Sequence, residues 1–197
     1  MIAREETMES TIMQDEMYKV MPVLDPDGSD SARLDNCLEF LVLNGIPLPM
    51  AVMITIPEPW ENDRAMSQEK KDFYQYYATM MEPWDGPASI LFTDGELMGA
   101  VLDRNGLRPS RYYITDDDYL VLSSEVGVLD VDPSKIVKKD RLRPGKMLLV
   151  DTVNGRLISD EEIKEKYALA KPYGEWVDSN LVHLADLKIP NIRVQEY

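Results

Sequence analysis

The sequence contains one cysteine and one histidine in 197 residues, and each shortage excludes a class of site. A single cysteine, Cys37, excludes an internal disulfide and a cysteine-based zinc site. A single histidine, His183, excludes any site built from several imidazoles. A metal site would therefore consist of carboxylates, and their spacing does not match a calcium-binding loop. The sequence predicts no metal centre.

Positive charge is also scarce, since 21 lysines and arginines stand against 36 aspartates and glutamates, a formal net charge of −15. Such a surface repels phosphate backbones and anionic lipids, so neither nucleic acid nor a membrane surface is an expected partner. No apolar run approaches the roughly 20 residues that span a bilayer. The acidic start of the chain is not typical of a signal or transit peptide. We therefore expect a cytoplasmic protein.

The first 85 residues show mainly the apolar spacing of helices. An amphipathic helix is predicted over 4–18, and a stronger one begins at the capping residues around Ser29 and ends at Asn44. Shorter helices are predicted over 49–56 and from Ser67 onward. The apolar stripe of the second helix is Leu34, Cys37, Leu38 and Leu41, and that of the last is Phe73, Tyr76 or Tyr77, and Met80.

Beyond residue 85, short apolar runs alternate with turn signals, which is typical of strands. Asp94-Gly95 predicts a two-residue hairpin turn, and the apolar runs at 89–92 and 147–150 predict a sheet covered on both faces. A helix over 161–170, a break at 172–174 and a polar tail follow. Helices followed by antiparallel strands favour an α+β layered sandwich. The predicted strands are 88–93, 97–102, 111–114, 119–124, 146–151 and 156–158.

Four sets of residues are candidates for chemistry, and each has a structural alternative. Cys37 is a possible nucleophile, but its place on an apolar helical stripe favours a buried side chain. His183 has no evident partner in sequence and is interpreted as structural or exposed. Arg104 and Arg108 flank a tight turn and can hold an anion, although a hairpin whose arginines pair with carboxylates is the simpler interpretation.

The fourth candidate is the start of the strongest helix, Ser29-Asp30-Ser31. Backbone amides at a helix start bind anions, and a carboxylate placed there can receive an ammonium group. Serine and aspartate before an apolar stripe are equally typical of an ordinary helix cap. The residues by themselves favour the cap.

Several of these segments together resemble the glutaminase domain of glutamate synthases, in family order over nearly the whole chain. The similar segments are GSDSA at 28–32, LDN at 34–36, IPEPW at 56–60, MEPWDGPA at 81–88, FTDG at 92–95, DRNGLRP at 103–109, SSEVG at 123–127, LRPGKM at 142–147 and ISDEEI at 158–163.

The resemblance implies a fold and a chemistry. The fold would be part of an N-terminal-nucleophile αββα four-layer sandwich with mainly antiparallel sheets. In that family a cysteine at the mature N-terminus attacks the side-chain amide of glutamine, and an asparagine side chain and a glycine amide form the oxyanion hole. The ammonia released serves the reductive amination of 2-oxoglutarate with FMN and an iron–sulfur cluster.

By this resemblance, residues 1–160 are the C-terminal half of the glutaminase domain and 161–197 are a helical connector. The cysteine nucleophile, the oxyanion hole and the arginine for the substrate carboxylate would precede Met1, so we expect no catalytic residue and no cofactor site in this chain. Asp30, with Ser29 beside it, is expected to bind the α-ammonium group of L-glutamine. The resemblance assigns no role to Arg104 or Arg108, and it leaves open whether the parent enzyme uses NADPH, NADH or ferredoxin.

The expected partners are the missing N-terminal half and the downstream synthase domains. Half of a four-layer sandwich leaves strand edges and apolar faces uncovered, so self-association is also expected. One alternative is a non-catalytic subunit that binds glutamine or complements another half. A second is an unrelated α+β binding module.

Overall fold

The computed structural model describes residues 8–187, which form five α-helices, seven β-strands and three short 3₁₀ helices. The α-helices are α1 (Asp30–Leu43), α2 (Leu48–Thr55), α3 (Gln68–Ala78), α4 (Asp160–Ala168) and α5 (Tyr173–Asn180). The strands are β1 (Ser89–Thr93), β2 (Leu97–Leu102), β3 (Arg111–Thr115), β4 (Leu120–Ser123), β5 (Ile136–Arg141), β6 (Met147–Asp151) and β7 (Arg156–Ile158). The 3₁₀ helices are Gln14–Lys19, Pro133–Lys135 and Leu184–Asp186.

The strands form two antiparallel sheets, which we call sheet A, in the order β1-β2-β6-β7, and sheet B, in the order β4-β3-β5. Successive side chains of a strand point to opposite faces. Val101 and Met147 of sheet A therefore pack with the helices, whereas Ala100 and Leu148 pack with Tyr112 of sheet B. The layers are helices, sheet A and sheet B, which is an α+β arrangement and matches three consecutive layers of the expected αββα sandwich.

The helix α1 confirms its sequence prediction. Ser29 is the N-cap, and its hydroxyl accepts a hydrogen bond from the Ala32 amide. The helix ends at Asn44, and Gly45 follows with a φ of +82°, the left-handed conformation that ends many helices. The whole predicted stripe is buried: Leu34, Cys37, Leu38 and Leu41. The predictions for α2 and for Ser67 as the N-cap of α3 are also confirmed.

Two helical predictions are wrong in part. Residues 4–7 of the predicted helix 4–18 lie outside the described residues, and the remainder is not an α-helix. Gln14 has a φ of +48°, so only a 3₁₀ helix forms from there to Lys19. On α3 the buried side chains are Phe73 and Tyr74, while Met80 lies beyond the helix end and is 51% exposed.

Three strand predictions need correction. The β1–β2 hairpin forms, but its turn residues are Gly95 and Glu96, since Thr93 pairs with Met98 and the Asp94 amide donates to the Leu97 carbonyl oxygen. Strand β5 was not predicted. Sheet A is covered on both faces only in its central part, because Leu91 and Met98 of the β1–β2 hairpin are 65% and 58% exposed.

The break predicted at 172–174 is the start of α5 instead. The ring of Tyr173 packs edge-on against Phe73 of α3, and Val177 on the next turn of α5 is also buried. Part of the segment predicted as a connector therefore contributes to the helical core. The division of the chain at residue 160 remains a prediction.

Candidate functional site

The loop before α1 and the first turn of that helix form the candidate site. The side chain of Ser29 caps the helix, and its hydroxyl lies 3.0 Å from the hydroxyl of Ser31. Asp30 is the first helical residue, so its carboxylate cannot replace Ser29 as the cap and is left for other contacts. An acidic side chain at this position is also favoured by the helix dipole.

The carboxylate of Asp30 is accessible, since its side chain is 87% exposed. Its partner is the Arg33 guanidinium one turn along the helix, with 3.9 Å between Nη1 and Oδ1. An exposed ion pair at this distance holds its members weakly. The Asp30 carboxylate can therefore exchange Arg33 for a ligand ammonium group without leaving water.

A groove of about 1010 Å³ lies between α1 and β1, and the side chain of Asp30 is not part of its lining. Ser29 and Ser31, the two neighbours of Asp30 in sequence, line one end of the groove. Its floor includes Ile90 and Phe92 from β1, which also pack against the helical core. The groove is large enough for an amino acid and for an extended chain segment beside it.

Strand β1 is an edge strand within the part of the chain that the structure describes, because it pairs with β2 and with no other described strand. An edge strand offers a row of unpaired backbone donors and acceptors to another segment. The groove between α1 and β1 runs beside this edge. A further strand could therefore join sheet A beside the candidate site.

Cys37 lies in the core and not in the groove. Its side chain is fully buried on α1, and its sulfur lies 3.8 Å from that of Met81. Burial raises the pKa of the Cys37 thiol to about 11, so it stays protonated at neutral pH. The prediction that Cys37 is a buried side chain of the apolar stripe is confirmed. His183 is exposed and precedes the last 3₁₀ helix.

The segment DRNGLRP has a structural role in the turn after β2. The buried carboxylate of Asp103 accepts hydrogen bonds from the amides of Ala88 and Asn105, at 3.0 and 2.9 Å. Gly106 adopts a φ of +59°, and a Cβ there would collide with Pro144. Arg104 forms an ion pair with Asp85 at 3.2 Å, as the interpretation of a hairpin with paired arginines predicts.

The sequence analysis missed a buried cluster of charges, which we call the charged cluster and which consists of Glu58, Asp160, Lys164 and the half-exposed Lys146. The ammonium of Lys164 lies 3.0 Å from the Glu58 carboxylate and 2.9 Å from that of Asp160, and it donates to the Gly145 carbonyl oxygen. Lys146 pairs with Asp160 at 2.8 Å. Within the cluster two carboxylates face two ammonium groups, so no uncompensated charge is left for a ligand.

The charges of this cluster shift the pKa values of Asp160 and of the neighbouring Tyr74 in opposite directions. Burial alone would raise the pKa of the Asp160 carboxyl, but the neighbouring Lys164 and Lys146 ammonium groups and the Met147 amide hold it below its usual value. Burial and the nearby Glu58 carboxylate raise the pKa of the Tyr74 hydroxyl well above its usual value, so the hydroxyl stays protonated and donates a hydrogen bond to Glu58. Three of the segments that resemble the family, IPEPW, LRPGKM and ISDEEI, supply Glu58, Lys146 and Asp160 to this cluster. A charged residue in each of these segments was the signal available in the sequence.

Among residues 8–187, no group of three or more histidine, cysteine, aspartate or glutamate side chains has the arrangement to hold a metal ion. The single cysteine of the sequence does not fit the set of thiolates that an iron–sulfur cluster requires. None of the helices in this range is both long and apolar enough to cross a bilayer.

Comparison with known proteins places these features in a family context. The family model of class-II glutamine amidotransferases matches residues 1–176. The chain is 50% identical over 184 residues to the glutamate synthase [NADPH] large chain of Bacillus subtilis, which covers 93% of this chain and 12% of that protein. It is 48% identical over 185 residues to the glutamate synthase [NADH] of Schizosaccharomyces pombe, covering 93% of this chain and 9% of that protein.

A third relative is the chloroplastic ferredoxin-dependent glutamate synthase of Oryza sativa subsp. japonica. The identity is 45% over 183 residues, covering 91% of this chain and 11% of that protein. The chain therefore spans about a tenth of the length of the curated relatives that it matches. The names of these three relatives give NADPH, NADH and ferredoxin as electron donors, and their identities to this chain are similar. The similarity therefore leaves the electron donor open.

Proposed function

The chain belongs to the class-II glutamine amidotransferases, and on this premise we propose that it forms one side of a glutaminase site in a glutamate synthase. The family membership rules out the alternative of an unrelated α+β module. The observation that carries the proposal is an accessible Asp30 carboxylate whose sequence neighbours, Ser29 and Ser31, line the groove between α1 and β1. In the proposed site, Asp30 receives the α-ammonium group of L-glutamine and Ser29 fixes the helix start from which Asp30 projects.

The strength of this contact follows from its charge. A hydrogen bond between a carboxylate and an ammonium group contributes about 1.5–3 kcal/mol, which is roughly tenfold to hundredfold in affinity. Asp30 is exposed in this structure, so the gain approaches that range only where the bound ligand and a covering segment exclude water. A segment lying in the groove beside β1 would provide such cover.

The nucleophile of the proposed reaction comes from another part of the enzyme. Cys37 is the one cysteine of the sequence, and its burial and raised pKa make it unsuitable. We therefore propose that a cysteine and an oxyanion hole on a preceding segment attack the glutamine side-chain amide and release ammonia. By this proposal the chain is inactive alone, and its partners are that preceding segment and the downstream synthase domains.

The test is ammonia release from glutamine. The chain is assayed alone and after mixing with the segment of the Bacillus subtilis large chain that precedes the matched region. We expect no release by the chain alone and release on mixing, with Asp30→Asn raising the KM for glutamine about tenfold to hundredfold. Asp178→Asn, on the exposed side of α5, is the control and should leave the KM unchanged.

Other outcomes are informative. Release by the chain alone would contradict the proposal and direct attention to Cys37. Glutamine binding by the mixture without ammonia release would favour the second candidate, a non-catalytic glutamine-binding subunit, which the burial of Cys37 also supports. An unchanged KM in Asp30→Asn would remove Asp30 from the site.

A further inference from the structure

The guanidinium group of Arg33 is fixed to the loop that precedes its own helix. Its Nε donates to the carbonyl oxygen of Asp25 at 3.0 Å, and its Nη2 donates to that of Pro26 at 2.5 Å. The side chain is only 21% exposed, whereas that of Asp30 is 87% exposed. Arg33 therefore folds back under the loop, and its contact with Asp30 at 3.9 Å is the weaker of its interactions.

Other contacts bind the same loop to α1 and hold the loop residues against one another. The side-chain oxygen of Asn36, one turn beyond Arg33, accepts a hydrogen bond from the Asp25 amide at 3.1 Å. The Asp25 carboxylate accepts one from the Asp27 amide at 2.9 Å. At Gly28 the loop passes so close that a Cβ would lie 3.1 Å from that of Asp25. Of these groups, the planar fork of Arg33 is the one that spans two consecutive carbonyl oxygens.

We propose that Arg33 is a positioning residue for glutamine, which fixes the loop at 25–28 and through it the direction in which Asp30 leaves the helix. This inference rests on the proposed function of Asp30. Arg33 does not touch the ligand in this arrangement. It acts by keeping Ser29 and Asp30 in one conformation, so that the carboxylate need not be ordered when the ammonium group binds.

Arg33 could also affect glutamine binding in the opposite direction, by competing for Asp30, and the sign of the change in KM distinguishes the two effects. The positive charge of Arg33 faces the Asp30 carboxylate and competes with the ligand ammonium group. If competition dominated, removal of Arg33 would lower the KM for glutamine. If positioning dominates, removal raises it. Because the pair is long and its Asp30 member lies in water, it contributes little, and we expect positioning to dominate.

The experiment has two readouts, hydrogen exchange and glutamine kinetics. In the chain alone, Arg33→Ala should increase the exchange rates of the hydrogen-bonded amides of Asp27, Gly28 and Ala32 at least tenfold while leaving those of α3 and α5 unchanged. In the complemented mixture, Arg33→Ala should raise the KM for glutamine about tenfold with kcat unchanged. Arg33→Lys keeps the charge but can reach only one of the two carbonyl oxygens. Its KM for glutamine should therefore lie between those of the wild type and Arg33→Ala. Arg104→Ala removes an arginine paired with an exposed carboxylate elsewhere and should change neither readout.

The two readouts separate failure of this inference from failure of the proposed function. Unchanged exchange in Arg33→Ala would overturn the positioning role, whatever the kinetics show. A lowered or unchanged KM in Arg33→Ala would overturn it as well, since competition or no effect would then be demonstrated. The wild-type mixture could release no ammonia while Arg33→Ala still increased amide exchange in the loop. In that case the proposed glutaminase function would fail and the positioning role of Arg33 would stand.

Discussion

At the scale of single residues, Lys164 carries the clearest energetic consequence. Its ammonium group is 3% exposed and contacts two carboxylates and one carbonyl oxygen. A buried charge is tolerated only with such partners, and removing one partner leaves the others uncompensated. The cluster joins the end of α2, the start of α4 and the turn before β6, so its loss would loosen the helices against sheet A.

We predict that Lys164→Met lowers the free energy of unfolding by about 3–5 kcal/mol, because Glu58 and Asp160 then share only Lys146. Urea denaturation measures the change. Adding Glu58→Gln to Lys164→Met removes one unpaired carboxylate and should recover part of the loss. Lys135→Met, which breaks an exposed ion pair with Asp117, should have a much smaller effect. Equal losses in the two single variants would show that burial is not the cause.

At the scale of elements, the β1–β2 hairpin depends on a ring packed over a glycine. Gly99 pairs with Phe92 across the strands, and a Cβ at Gly99 would overlap the Phe92 ring. Alanine is ordinarily better than glycine inside a strand, by roughly 0.5–1 kcal/mol. Here that gain is opposed by the displacement of a ring that packs on the helical core.

We predict that Gly99→Ala lowers the free energy of unfolding by about 1–3 kcal/mol, the usual range for overpacking. In a Phe92→Leu background the smaller side chain leaves room for the added methyl group. There Gly99→Ala should be neutral or slightly stabilising, because the strand preference alone remains. Thermal unfolding of the four proteins in this cycle gives the coupling between the two positions. Additive effects would contradict the overlap.

The elements also show which structures the sequence pattern could predict. Strand β2 and helix α1 were predicted within a residue of their bounds, because α1 buries its apolar residues at helical spacing and β2 is a continuous apolar run between turn signals. Strand β5 was missed because it is the outer strand of sheet B and carries the exposed charges Lys138, Lys139 and Asp140. The candidate site was found only through resemblance, since Ser29-Asp30-Ser31 also serves as an ordinary cap. The charged cluster joins residues over 100 positions apart, which no local pattern reveals.

At the scale of the whole molecule, sheet A is covered on both faces at its centre and on one face only toward β1. Its centre lies between the helices and sheet B, with Val101 and Leu148 buried on opposite faces. Toward β1 the face on the side of sheet B is open, and the apolar side chains of Leu91 and Met98 are exposed. The open face adjoins the unpaired edge of β1. Both features are typical of a surface that another chain segment covers.

We therefore predict that the isolated chain self-associates at micromolar concentration, through antiparallel pairing of two β1 edges that joins two copies of sheet A. Light scattering measures the mass, and dilution should dissociate the complex. Leu91→Lys places a charge in the edge strand and should shift the chain toward the monomer. Val126→Lys, in the exposed loop after β4, is a control of equal charge and should not. A wild-type monomer at this concentration would contradict the prediction. Addition of the preceding segment should compete with self-association, because both would occupy the same edge.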